Sequence, residues 1–211
     1  MSNIETDVQE ILEQGMCELG FEADAGVILQ CTKYLLLLDK WNHVYNLTAV
    51  RRLQDMATRH ILDSMAVMPY IEGPRLLDVG TGPGLPGIPL ALLTPDCQWT
   101  LLDSNGKKTR FVIQAVADLG LENVRVLTGR AAEQTLEPRC NTVISRAFSD
   151  IGIFVEEAAH LCIDSGQLLA MKGAVTAEEL DRVPAQYAAT RIDLNVPGLD
   201  AQRCIIKLVH K

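Results

Sequence analysis

The residues best suited to chemistry lie in one passage, Leu76-Leu77-Asp78-Val79-Gly80-Thr81-Gly82-Pro83-Gly84-Leu85-Pro86-Gly87, an apolar strand that enters a glycine-dense turn and leads into a helix. Glycine at Gly80, Gly82 and Gly84 lets backbone pass close to a ligand at φ/ψ values that side chains resist. A dinucleotide fingerprint counted from Gly80 needs glycine where Leu85 stands, and a P-loop needs Lys and then Ser or Thr after Gly87, where Ile88-Pro89 stand. Neither phosphate motif fits. The next apolar run ends Leu101-Leu102-Asp103, which places a carboxylate 23 residues after Gly80. An acid there can accept hydrogen bonds from both hydroxyls of a ribose. The structural alternative is a helix cap, since Asp ahead of a helix satisfies its first N–H groups.

What remains, D-x-G-x-G-x-G at a strand end, resembles motif I of class I S-adenosylmethionine-dependent methyltransferases. That cofactor has no pyrophosphate, so neither a third dinucleotide glycine nor a proline-free helix start is required. A longer string extends the resemblance. Asn46-Leu47-Thr48, Arg59-His60-Ile61-Leu62-Asp63-Ser64, the glycine passage through Ala91, Leu102-Asp103-Ser104 with Lys107-Lys108, Ser145-Arg146-Ala147 and Met171-Lys172-Gly173 are similar, in order, to the bacterial small-subunit (16S) rRNA guanine-N7 methyltransferase family, also called the glucose-inhibited division protein B family.

The resemblance implies methyl transfer from S-adenosylmethionine to N7 of one guanine, at position 527 in the 530 loop of 16S rRNA. It implies cofactor contacts at Asp78, Gly80, Gly82, Gly84, Leu85, Ala131, Ala132 and Arg146, and ribose contacts at Asp103 and Ser104. The substrate would be 16S rRNA, free or within a 30S particle. One departure stands out: after Arg130 the family usually has Ala-Glu or Val-Glu, and here the order is Ala131-Ala132-Glu133. Adenine contacts there would come from backbone, with Glu133 pointing elsewhere.

The residues also narrow the chemistry. Exocyclic-amine methyltransferases carry Asn/Asp-Pro-Pro-aromatic after the fourth strand, where this chain has Ser145-Arg146-Ala147-Phe148. Carbon-5 pyrimidine enzymes use a cysteine nucleophile, usually in a Pro-Cys pair, whereas Cys97 follows Asp96 and Cys140 follows Arg139. Guanine N7 carries an unprotonated lone pair at neutral pH and needs no general base. Proximity and orientation then supply the acceleration, and the expectation is no acid–base residue and no metal, with Arg146 positioning the reactants.

Cations provide the candidate RNA contacts: Arg59, His60, Lys107, Lys108, Lys172 and Arg203. An ordinary solvated face is the alternative for each lysine. Arg146 ends a buried strand, where an unpaired charge is costly, so it requires the cofactor, the target base or an internal bridge to Asp78 or Asp103. His60 and Asp63, three residues apart on a helix, can pair with one another. Trp41 and Tyr45 either stack on a flipped base or, the favoured reading, pack against the sheet.

These groups need a scaffold, and the apolar periodicity supplies one. Val8, Ile11, Leu12, Met16 and Leu19 recur at helical spacing up to Gly20, and further helices are predicted over about Ala25 to Trp41 and Leu53 to Met68. From Pro74 onward, apolar runs at Leu76-Leu77, Trp99–Leu102, Val124–Leu127, Thr142–Ile144, Gln167–Met171 and Cys204–Val209 alternate with helices at Lys107–Leu119 and Ile153–Cys162. The expected fold is α/β, a Rossmann-like class I methyltransferase sheet, mostly parallel, of about seven strands with the last antiparallel. A helical cap of residues 1–72 precedes the cofactor-binding region, residues 73–211, in one structural unit with its seam at Gly73-Pro74.

Charge tempers the RNA reading. The chain has 27 acids and 19 bases, yet Met1 to Asp24 holds seven acids and no base, so the other 187 residues carry a net −1. Bulk nucleic acid is repelled by the acidic end, and recognition falls to a few placed cations. The acidic, polar N-terminus is the reverse of a signal peptide, and no apolar run is free of helix breakers long enough to span a bilayer, so a cytoplasmic protein without membrane association is expected. The six cysteines have no metal-ligand spacing and read as reduced, mostly buried thiols. A monomer with no stable protein partner is the expectation. Competing readings are a small-molecule methyltransferase or nicotinamide oxidoreductase, the latter opposed by Leu85, and a non-catalytic ribosome-assembly module.

Overall fold

The computed structural model describes residues 3–146, 148 and 150–211. Helix α1 (Asn3–Glu18) buries Val8, Leu12 and Met16 on one face and stops before Gly20, which sits at φ 82° where glycine is favoured. Helix α2 (Ala25–Tyr45) starts on Asp24, whose side chain accepts from the Val27 N–H, and ends on Asn46 in the left-handed region. It runs one turn beyond the predicted end at Trp41. The third predicted helix is present but interrupted: α3 (Leu53–Met56) passes into a π-helical stretch, Ala57–Leu62, and then α4 (Asp63–Met65). Such wide turns often mark functional sites.

The strands are β1 (Arg75–Val79), β2 (Gln98–Asp103), β3 (Val124–Thr128), β4 (Cys140–Ser145), β5 (Cys162–Lys172), β6 (Tyr187–Leu194) and β7 (Arg203–His210), ordered β3-β2-β1-β4-β5-β7-β6. The first five are parallel, and β7 runs antiparallel to both β5 and β6. Strand β6 escaped the apolar pattern because Thr190, Arg191 and Asp193 break it on an edge that is largely exposed. Helices α5 (Gly87–Leu93), α6 (Gly106–Leu119), α7 (Ile151–Ala158) and α8 (Ala177–Asp181) complete the chain.

Side-chain alternation sorts the strands into two buried faces. Leu76, Leu101, Ile144, Leu169 and Ile205 face a core shared with α1, α2 and the π-helical segment, whereas Leu77, Leu102, Val143, Leu168 and Ile206 face α7. The N-terminal helices are therefore packed into the sheet's own core. Trp41 and Tyr34 both meet Phe111 of α6, with ring centroids at 5.6 and 6.1 Å, so Trp41 packs on a helix and not on the sheet as expected. Four of the six cysteines are buried, with Cys17 exposed and Cys97 between. Among the described residues, no helix is long and apolar enough to cross a membrane.

Candidate functional site

Strand order reverses at β1/β4, and a crevice opens there at the carboxyl ends of the parallel strands. The glycine passage caps it. Gly80 and Thr81 donate backbone N–H groups to the Leu102 carbonyl of β2 at 2.8 and 3.0 Å, which hooks the turn over the neighbouring strand. Gly84 lies at φ 97° with Ile88 Cδ1 only 2.5 Å from where a Cβ would be, so glycine is required. Gly82, at φ 60°, borders open space. From the other side, buried Tyr34 of α2 donates its hydroxyl to the Pro83 carbonyl at 2.8 Å and braces the turn.

Two acids organise this turn. Asp78 is fully buried: Oδ2 accepts from the Thr81 hydroxyl at 2.6 Å and the Gly87 N–H at 2.8 Å, while Oδ1 has no partner among the described residues. Burial pushes its carboxyl up to about 6 against those two hydrogen bonds. Asp103 accepts from the Gly82 N–H through Oδ2 and from the Asn105 N–H through Oδ1, both at 2.8 Å. The first side-chain cap of α6 is Asn105, which accepts from the Lys107 N–H, so Asp103 is not the helix cap. Lys108 Nζ stands 4.0 Å from Asp103.

A first cleft is lined by Gly80, Asp103, Ser104, Lys108, Ala131 and Phe148, among others. It thus unites the glycine turn, the acid at the end of β2 and the turn after β3. Leu85 is buried in the core, so what it offers a ligand is backbone. In the 3-10 turn Ala131–Glu133, Ala131 is buried while Ala132 and Glu133 are exposed. Open space over Gly82, an acceptor pair at Asp103 and an exposed Ser104 beside it fit a ribose and its adenosyl group. The buried negative charge of Asp78 beneath suits a cationic ligand.

Arg146 does not line that cleft. It points into a second one, of ≈ 370 Å³, lined by Val50, Arg59, His60, Asp63, Met171, Lys172, Leu194 and Arg203, among others. Arg146 Nη1 donates to Asp63 Oδ2 at 3.1 Å and Arg203 Nε to Asp63 Oδ1 at 2.8 Å. Its carboxylate partner is Asp63, neither Asp78 nor Asp103. The expected His60–Asp63 pair is replaced: His60 Nε2 instead meets the Thr48 hydroxyl at 2.8 Å, and burial together with the Arg146 charge lowers His60 to about 4, so it is neutral at pH 7. Lys172 is paired with Glu179 and donates to the Phe148 carbonyl. Lys107 is exposed at the start of α6, outside either lining.

After β4, Arg146 lines the second cleft and Phe148 the first. Ala147, which the resemblance includes, lies outside the described residues. Cys204 borders the second cleft, but it is buried, its thiol donates to the Gly173 carbonyl and burial raises its pKa, which suits no nucleophile. Sequence reasoning missed Asp63 as the hub of the second cleft, together with Thr48, Glu179 and the apolar wall of Val50, Met171 and Leu194. The signal for Asp63 was its place three residues after His60, yet its partners lie far along the chain.

Comparisons with known proteins give the family and the fold. The family model described as rRNA small subunit methyltransferase G matches residues 28–206. The ribosomal RNA small subunit methyltransferase G of Nitrosococcus oceani is 46% identical over 201 residues, covering 95% of this chain and 94% of its own length. Its counterpart in Methylobacillus flagellatus is 48% identical over 201 residues, covering 95% and 98%. Among solved structures, a SAM-dependent methyltransferase from Aquifex aeolicus superposes with a TM-score of 0.55 at 18% identity, covering 71% of this chain and 90% of its own; this likeness concerns the fold.

Proposed function

The chain belongs to the rRNA small subunit methyltransferase G family, and from that premise we propose that it transfers the methyl group of S-adenosylmethionine to N7 of one guanine in 16S rRNA, the position-527 guanine of the 530 loop. The observation that carries this reading is the presence in one chain of two clefts of different chemistry, the first lined by Phe148 and the second by Arg146. One has a glycine turn and a ribose-accepting acid; the other is rich in arginine.

In the first cleft Asp103 and Ser104 would hold the ribose hydroxyls, Gly80 and Gly82 would admit the cofactor's methionine end, and the Ala131-Ala132 backbone would border the adenine. Asp78 and Tyr34 keep the turn in shape. S-adenosylmethionine held there would supply an electrophilic methyl group for the N7 lone pair, with S-adenosylhomocysteine as the leaving thioether and the positive charge passing to the guanine. No proton moves, so no base is called for, and rate comes from alignment. Arg59, His60, Arg203, Lys107 and Lys108 contact the RNA, whereas Lys172 is held by Glu179 and donates to the Phe148 carbonyl.

The test is incubation of the purified protein with methyl-labelled S-adenosylmethionine and either naked 16S rRNA or 30S subunits lacking the modification, followed by nucleoside analysis. Labelled N7-methylguanosine from one of these is expected. Its absence from both overturns the reading.

A further inference from the structure

Helix α2 runs antiparallel to α6. Gln30 donates to the Leu119 carbonyl at the far end of α6, while Tyr34 and Trp41 meet Phe111 nearer its start. The C-terminal end of α2 therefore lies on the side of the sheet where the glycine turn sits. From Tyr34, whose hydroxyl holds Pro83, to Tyr45 the helix rises about 16 Å, so its last turn stands beyond the glycines. Three aromatic rings step outward there. Phe111 is buried, half-buried Trp41 packs edge-on against it, and Tyr45 lies on Trp41 with ring centroids at 5.3 Å and an interplanar angle of 32°. Tyr45 is 46% exposed and Val44 beside it 69%.

This end of α2 is fixed. Asn42, buried three residues before Tyr45, accepts from the Thr48 N–H at 2.9 Å and donates to the Val50 carbonyl at 3.4 Å. The Thr48 hydroxyl in turn meets His60, and His60 and Val50 line the second cleft. The surroundings are cationic: Lys40 to Gln54 include Lys40, His43, Arg51 and Arg52 and no acid. Arg51 donates to the Asn46 side chain at 3.0 Å, and among the described residues neither Arg51 nor Arg52 pairs with a carboxylate. Asp39, one turn before His43, stands 3.8 Å from it.

An exposed ring on a fixed aromatic ladder, beside unpaired guanidiniums, matches a nucleotide of single-stranded RNA, with its base on the ring and its phosphates on the arginines. We propose that Tyr45 is a stacking platform for an unpaired rRNA nucleotide other than the one modified, with Arg51 and Arg52 on the adjoining phosphates. Trp41 already holds the ring, so little side-chain freedom is lost on stacking. Every base has a π face, so this contact grips the strand without reading its sequence. The proposal rests on rRNA being the substrate, as argued above, and adds a grip outside both clefts.

The test uses the full chain with naked 16S rRNA or 30S subunits, whichever the wild type methylates faster, and measures RNA affinity, methylation kinetics and cofactor affinity. Tyr45→Ala should raise RNA Kd and KM about tenfold, with kcat and cofactor Kd within about twofold and the salt slope unchanged. Tyr45→Trp should bind within about threefold of wild type. Tyr45→Leu keeps an apolar neighbour for Trp41 but has no π face, and should bind as weakly as Tyr45→Ala. Arg51→Ala combined with Arg52→Ala should reduce the salt slope by about 1–2. Wild-type affinity in Tyr45→Leu reduces Tyr45 to helix packing and overturns the proposal, as does wild-type affinity in Tyr45→Ala. With p-benzoylphenylalanine in place of Tyr45, photo-crosslinks should run to rRNA; crosslinks to a ribosomal protein instead would mean a protein partner and equally overturn it. A wild type that makes no N7-methylguanosine from either substrate defeats the broader reading instead, so the two failures are distinguishable.

Discussion

The two clefts, one lined by Phe148 and the other by Arg146, are built on opposite plans. The first is a backbone site: the turn over Gly80–Gly84, one acid and a short turn after β3, all from consecutive βα units of a parallel sheet. The second is a side-chain site, in which Asp63, Arg146 and Arg203 come from three regions of the chain and meet through one carboxylate. A backbone site is held by strand geometry and tolerates change in what surrounds it. A side-chain site depends on each charge being where its partner is, since an unpaired buried charge is costly.

Substitutions should separate the two. The largest effect is expected from Asp103→Ala, which removes the proposed acceptor of both ribose hydroxyls and the anchor of the Gly82 N–H. Cofactor Kd should rise about 100-fold, near 3 kcal/mol, in calorimetry, with RNA affinity in the absence of cofactor unchanged. Equal loss of both would mean the clefts are not independent. Gly84→Ala comes next, because it combines φ 97° with a Cβ 2.5 Å from Ile88. It should cost about 2–3 kcal/mol in urea unfolding and weaken cofactor more than RNA.

Titration offers a sharper contrast, because a buried group in the second cleft, His60, and one beneath the glycine turn, Asp78, are each moved toward the neutral form. His60 falls to about 4 from an ordinary 6.5, so the unfolded chain takes up its proton first and His60 costs stability as pH drops from 6.5 to 4. Asp78 rises to about 6 from 3.8, so the folded chain holds its proton and Asp78 costs stability as pH climbs from 3.8 to 6. The two oppose one another. His60→Gln should make the protein relatively more stable at pH 4.5 than at pH 6.5 compared with wild type, and Asp78→Asn relatively less, each by about 1–3 kcal/mol in urea midpoints. Shifts of the same sign would contradict the assignment of burial as their main cause.

Smaller effects follow at the periphery. Tyr34→Phe removes the hydroxyl that braces Pro83 and should cost about 1 kcal/mol of stability, with a slightly weaker cofactor affinity. Lys107→Ala combined with Lys108→Ala should lower RNA affinity and reduce its salt slope by about 1–2, with cofactor affinity unchanged. An unchanged salt slope would remove α6 from the RNA surface.

The unequal legibility of the clefts has the same origin. The glycine turn and Asp103 are readable because a strand, a tight turn and a helix start are local events, and each leaves glycine, acid or proline in a fixed order. The helices α1, α2 and α6 were readable from their apolar periodicity, as were six strands. Strand β6 was not, since an exposed edge strand needs no apolar face, and neither was the π-helical interruption that turns Asp63 inward. The sequence also suggested the wrong carboxylates for Arg146, because Asp78 and Asp103 are near in motif order while Asp63 is near in space.

The sequence alone therefore determined the class of sheet, the glycine turn and the absence of phosphate-binding and cysteine-nucleophile patterns, all consequences of short-range backbone and side-chain chemistry. It also located much of the acidity in the first 24 residues, leaving a nearly neutral body. Tertiary structure decided which charges are spent on one another. Asp63 neutralises part of Arg146 and Arg203, Glu179 takes Lys172, and His60 loses its proton to burial. Such pairings depend on distances of a few ångströms between residues up to 140 positions apart, which packing sets and periodicity does not record.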